Sequence, residues 1–108
     1  RVDADTGPYL QSRWRELADH PLVGEARGVG FFGALELVAD KKTRTFFDPK
    51  GRAGALCRDI SFDKGLVMRA VGDTMIISPP LVATKAQIDE LLEIARSALD
   101  ETAERLQI

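Results

Sequence analysis

Residues 65–81, GLVMRAVGDTMIISPPL, hold one cation, Arg69, in a run otherwise built mostly from aliphatic, small and turn-forming residues. A guanidinium is permanently charged, planar and forked, so it grips a carboxylate or a phosphate through two parallel hydrogen bonds. Arg69 is therefore the candidate ligand-binding residue. Taken by residue type alone it has a plainer alternative, because most arginines on strands are solvated edge residues.

The other chemically capable side chains carry less. His20, the single histidine, stands before Pro21 at a predicted helix end, where a capping role suits it better than catalysis. Cys57, the single cysteine, falls on an apolar stripe with no base placed beside it, and reads as a small core residue. One thiol and one histidine make neither an internal disulfide nor a metal site, so no metal is expected and a reducing, cytoplasmic setting is. Gly28, Gly30 and Gly33 spell GxGxxG. A dinucleotide fingerprint also needs a helix opening at the third glycine and an acidic residue about twenty positions on. Here residues 31–38 alternate like a strand, and the later region is the polar stretch TFFDPKGR. The match is read as coincidental, the glycines marking a bulge or a close backbone approach.

The elements that must hold Arg69 follow from periodicity. Residues 66–71 and 74–78 alternate around Gly72-Asp73, a pair suited to a two-residue turn, and predict an antiparallel hairpin. With that turn Val71 faces Thr74 and Arg69 faces Ile76, putting Val67, Arg69, Val71, Thr74, Ile76 and Ser78 on one face. Met68, Ala70, Met75 and Ile77 form the other, apolar face, which is predicted to be the core side. A first helix is expected to start at Thr6-Gly7-Pro8, with proline at the first helical position, and to end near His20-Pro21. Residues 23–39 predict strand, kink, strand. Ala53, Leu56, Cys57 and Ile60 predict a helix closing at Lys64-Gly65. Thr84 and Gln87 form a capping box for a long terminal helix whose stripe runs through Ile88, Leu91, Leu92, Ala95, Leu99, Ala103 and Leu106 and should lie across the sheet. Between these, residues 40–52 form a charged loop in which Phe46-Phe47 are expected to rest on something, for instance a partner chain or a second domain. The fold class is α+β: a small antiparallel sheet of three to four strands with helices packed mainly on one face.

At 108 residues and a net charge of −2, the chain fits one domain and lacks the basic footprint of a nucleic-acid binder. No apolar run approaches a membrane span. The chain opens at Arg1 rather than a methionine, so it is expected to be a piece of a longer polypeptide.

Taken together, GVGFFGALEL (28–37), residues 65–81 and the Thr-capped terminal helix resemble the C-terminal small domain of the class III aminotransferases. The most specific part is a glycine opening the strand, an arginine four positions later, Gly-Asp, an apolar strand, Pro-Pro-Leu and the capped helix. It is similar in particular to the branch acting on ω-amino acids and amines with pyruvate as acceptor, since the 4-aminobutyrate and ornithine branches usually show a different hairpin. The resemblance implies the small domain of a fold-type I enzyme using pyridoxal 5'-phosphate, with residues 1–108 as that domain alone. It implies that Arg69 holds the substrate carboxylate and swings aside for uncharged or bulky groups. It also implies, as partners, the protein's own large domain, the second subunit of a homodimer, and a small-molecule amine and keto acid, with no nucleic acid and no membrane.

The catalytic lysine, the aspartate paired with the pyridinium nitrogen and the phosphate cradle belong in such enzymes to the large domain. Lys41, Lys42, Lys50, Lys64 and Lys85 match none of those motifs. No catalytic or cofactor-binding residue is assigned to this chain, which is expected to be inactive alone and to bind the cofactor poorly. The alternative is a free-standing α+β interaction or small-molecule-binding module, using Phe46-Phe47 or the outer hairpin face as its contact surface. A nucleotide-binding protein using the three glycines is the third reading.

Overall fold

The computed structural model describes residues 6–29, 32–43, 45, 47, 50–77 and 84–107. Helix α1 (Thr6–Arg15) runs into a 3-10 turn (Glu16–Asp19) and buries Leu10, Trp14 and Leu17 almost completely. It ends where Pro21 dictates: the His20 N–H closes onto the Leu17 carbonyl and the chain turns extended. Pro8 is the third helical residue rather than the first, still within the turn whose N–H groups have no helical acceptor.

Strands β1 (Val23–Val29) and β2 (Phe32–Leu37) form an antiparallel hairpin, followed by α2 (Arg52–Asp63). A second hairpin joins β3 (Arg69–Val71) to β4 (Thr74–Ile77), and α3 (Lys85–Leu106) closes the described chain. The sheet order is β1-β2-β4-β3, so β1 and β3 are the edges. The register is the one the two-residue turn requires, Val71 opposite Thr74 and Arg69 opposite Ile76. Gly72 has φ of +60°, the conformation glycine supplies at the first position of such a turn. The ladder is shorter than the alternating pattern, because Leu66 and Met68 are buried without joining it. Ser78 and the two prolines after it lie outside the described residues.

A bulge at Gly24 lets Val23 point into the core while Glu25, two residues on, points out. The capping box on α3 is complete: the Thr84 hydroxyl accepts from the Gln87 N–H at 3.1 Å, and the Gln87 side chain accepts from the Thr84 N–H at 2.8 Å. Ile88, Leu92, Ala95, Leu99 and Ala103 are buried as their spacing requires, and Ala98 and Thr102 are buried beside them. This stripe joins one core with Trp14, Leu35, Cys57, Met68, Met75 and Ile77, and α3 packs alongside both α1 and α2. Burying one such aliphatic side chain is worth about 1.5–3 kcal/mol. The apolar stripe therefore outweighs the cap, worth about 1 kcal/mol, in holding α3 to the fold.

Phe47 corrects the expectation placed on the loop aromatics. It is half-buried against this domain's own core and is not left for a partner; Phe46 lies outside the described residues. The single histidine is also absorbed locally. His20 is buried, its Nδ1 accepts from the Leu22 N–H at 3.1 Å, and its Nε2 stands 2.8 Å from the Asp100 carboxylate. Because Nδ1 is an acceptor, Nε2 carries the proton and donates to Asp100.

Candidate functional site

The sheet has one covered and one open face. Met68, Met75, Ile77, Leu35 and Leu37 face the helices, whereas Val67, Arg69 and Val71 face away. Val29, Phe32, Val67 and Val71 are 54–76% exposed, so the open face presents apolar side chains to solvent alongside Glu25, Arg27 and Glu36. Arg69 stands on this face at the β3 edge of the sheet. The register carries one row across all four strands, Arg69–Ile76–Ala34–Arg27. At roughly 4.8 Å per strand the two arginines lie about 14 Å apart, with Ile76 and Ala34 as an apolar floor between them. Arg27 is paired with Glu25 on its own strand at 3.3 Å. Among the described residues, none forms an ion pair or hydrogen bond with the Arg69 side chain. An exposed guanidinium with no partner among the described residues, based on a strand beside apolar side chains, can take a carboxylate from outside the domain.

Two cavities flank this edge. One, of about 380 Å³, lies between the end of α2 and Val67-Met68; the other, of about 340 Å³, lies by the turn and is lined by Glu36, Phe47, Lys50, Val71 and Thr74. Arg69 lines neither.

The turn beside Arg69 contains the polar feature that sequence reasoning missed. Asp73 is buried, and its carboxylate caps α2 from twenty residues away: Oδ1 accepts from the Gly54 N–H at 2.9 Å and Oδ2 from the Gly51 N–H at 3.0 Å. Helix α2 has glycine at its N-cap and no capping side chain of its own. The missing local cap was the available signal, and it could not say which distant acceptor fills the place.

The remaining sequence candidates are structural. A Cβ at Gly28 would lie 2.3 Å from the Phe32 carbonyl oxygen, and one at Gly33 would lie 2.5 Å from the Trp14 ring. Both glycines sit opposite each other in an antiparallel hairpin, with Gly33 inside a strand, so the nucleotide reading has no helix N-terminus to use. Gly30 lies outside the described residues. Burial pushes the Cys57 thiol up from its ordinary range, with the Thr102 and Ser61 hydroxyls acting in the opposite sense. A thiol so placed is a poor nucleophile. The described lysines are spread over loops and helix ends. Lys41 donates to the Ala18 carbonyl, Lys64 pairs with Glu101 at 3.3 Å, and Lys85 stands over the Tyr9 ring. Lys42 and Lys50 are exposed, and no lysine neighbours Arg69 in the sheet. On α1 and α3, Tyr9 and Arg13 both donate to Asp89, which pins the helices together and raises the Tyr9 pKa. Among the described residues no group of His, Cys, Asp and Glu is arranged to hold a metal ion, and no helix is long and apolar enough to cross a membrane.

Comparison with known proteins places these features. Residues 2–99 match the family described as Aminotransferase class-III. The chain is 67% identical over 103 residues to a putrescine–pyruvate aminotransferase of Pseudomonas aeruginosa, covering 95% of this chain and 22% of that protein. It is 37% identical over 106 residues to a diaminobutyrate–2-oxoglutarate transaminase of Halomonas elongata, covering 95% and 23%. Among solved structures it resembles a transaminase with L-alanine, at a TM-score of 0.90 and 40% identity over 96% of this chain and 24% of that one. It also resembles a thermostable omega transaminase variant engineered for asymmetric synthesis of enantiopure bulky amines, at a TM-score of 0.87 and 34% identity over 94% and 22%. The chain thus spans less than a quarter of the length of these relatives, and the free-standing-module reading is not favoured.

Proposed function

Because this chain belongs to the class III aminotransferases, we propose that residues 1–108 are the C-terminal small domain of an enzyme that moves an amino group from an ω-amino acid or amine to a keto acid such as pyruvate. Pyridoxal 5'-phosphate would supply the amino-carrying chemistry of such an enzyme. The lysines of this chain do not fit that cofactor: none stands by the open face's arginine, and three are engaged elsewhere in the fold. The cofactor's site therefore falls to residues outside this chain. What the domain supplies is recognition of the substrate carboxylate by Arg69.

The observation that carries this reading is an exposed guanidinium, with no partner among the described residues, at the edge of the open sheet face. The side chain has enough rotatable bonds to leave when an uncharged group takes the same space, while its backbone stays fixed in the hairpin. The exposed Val29, Phe32, Val67 and Val71 are the surface against which the protein's own large domain packs, in a homodimer whose sites lie at the subunit boundary. The enzyme is cytoplasmic in this reading, the one cysteine of this chain being a buried thiol.

The test is Arg69→Ala in the intact enzyme, read as single turnover of the cofactor absorbance with L-alanine and with a diamine. Losing one partner of a charged pair costs about 2–5 kcal/mol, so the apparent rate constant per unit L-alanine should fall roughly 30-fold or more. The diamine, lacking a carboxylate, should lose little. Equal loss with both substrates would sink the carboxylate role.

A further inference from the structure

The turn that ends β3 is held by contacts a hairpin does not require. A two-residue turn needs only a permissive backbone, which Gly72 supplies. Asp73 adds three fastenings: its carboxylate takes the Gly51 and Gly54 N–H groups, and its carbonyl accepts from the Leu37 N–H at 2.9 Å. From the opposite side Gly54 leaves no slack, since a Cβ there would lie 2.0 Å from the Gly72 carbonyl oxygen and 3.1 Å from the Asp73 Cα. The turn is clamped between the first turn of α2 and the end of β2.

β3 is otherwise held by its ladder with β4, by Ala70 packed against the core and by the buried Met68 before it. It is an edge strand of three residues, paired only with β4, and Arg69 is its first residue. Ala70 and Val71 link Arg69 to the clamped turn. We infer that Asp73 is a positioning residue for Arg69, fixing the angle at which β3 presents the guanidinium on the open face; this rests on the carboxylate-binding role proposed above for Arg69. Both oxygens of the Asp73 carboxylate are taken up by backbone N–H groups. Its buried carboxylate acts through the turn, and a misplacement of about 1 Å at a binding group can cost roughly 10²-fold.

The experiment uses the full-length holoenzyme and the concentration dependence of single turnover with L-alanine and with a diamine. Asp73→Ala should raise the half-saturating L-alanine concentration roughly 10-fold or more, and leave that for the diamine within about 3-fold. Added to Arg69→Ala it should give no further loss with L-alanine, because the two residues act through one guanidinium. Asp73→Asn, which keeps the shape and one acceptor oxygen, should shift in the same direction by less. Gly54→Ala, pressing on the Gly72 carbonyl from the α2 side, should show the same substrate selectivity. If Asp73→Ala does not accumulate as holoenzyme, these last two variants decide by the same comparison. Equal effects on both substrates, or a full additional loss on top of Arg69→Ala, would overturn the assignment. If Arg69→Ala is selective while the Asp73 and Gly54 variants are not, only the positioning role fails. If Arg69→Ala is itself unselective, the carboxylate role fails and the positioning role fails with it.

Discussion

Replacing Gly33 by alanine separates a packing role for the glycines of β1 and β2 from a role in cradling a ligand. The new Cβ would stand 2.5 Å from Trp14 Cε2, 2.6 Å from Nε1 and 2.9 Å from Cδ2. The indole has nowhere to retreat. It is fully buried, and its Nε1 donates to the Ala34 carbonyl at 3.3 Å, so moving the ring would strand a donor as well as open a void. Overpacking of this kind costs about 1–3 kcal/mol. Alanine recovers about 0.4–1 kcal/mol by reducing the freedom of the unfolded chain. The packing cost wins, and the net loss should be about 1–2 kcal/mol. For a domain of about this size that lowers the melting temperature by roughly 4–15 °C. Thermal and urea denaturation of the chain by far-UV circular dichroism measures it, with emission from Trp14, the only tryptophan, as a second probe. In a Trp14→Leu background the same substitution should cost about 1 kcal/mol less, the coupling expected of residues in contact. An unchanged midpoint for Gly33→Ala, or the same cost with and without the indole, would refute the packing account.

Two further outcomes follow from the core and the caps. Cys57 should react slowly with a thiol reagent in the folded chain and promptly in urea, because it is fully buried. Its folded pKa is raised, so the native state keeps the proton to higher pH than the unfolded state does. Its share of stability is therefore intact below the ordinary thiol range near 9.0 and declines as pH rises beyond it. Melting curves between about pH 8 and 10, compared with those of Cys57→Ala, isolate that slope. Thr84→Ala removes the side-chain half of the capping box on α3 and should cost about 1 kcal/mol, with Thr84→Ser restoring most of it. A melt of each variant checks this.

Local patterns carried most of the architecture. The spacing of Ile88, Leu92, Ala95 and Leu99, with Thr84 and Gln87 before them, is enough to write α3, because helix periodicity and a cap are both properties of neighbouring residues. Alternation around Gly72-Asp73 likewise sets the register of the second hairpin, since a slip of one residue would turn Met75 and Ile77 out of the core. Residue type also made Arg69 the candidate ligand, and its resemblance to a known pattern gave that ligand a chemistry. Phe47 was misassigned for a physical reason: an aromatic in a charged loop must be covered, but its own sequence does not say by what.

What chain order could state, then, was the set of elements, their facing residues and a candidate cation for holding an anion, all read from residues a few positions apart. Only the folded chain could bring Asp73 to the start of α2, lay Gly33 on Trp14, and set Arg69 in a row with Ile76, Ala34 and Arg27 across strands far apart in the chain. Those contacts are long-range. They depend on how helices and sheet close over a shared core, which is decided by packing and not by local spacing.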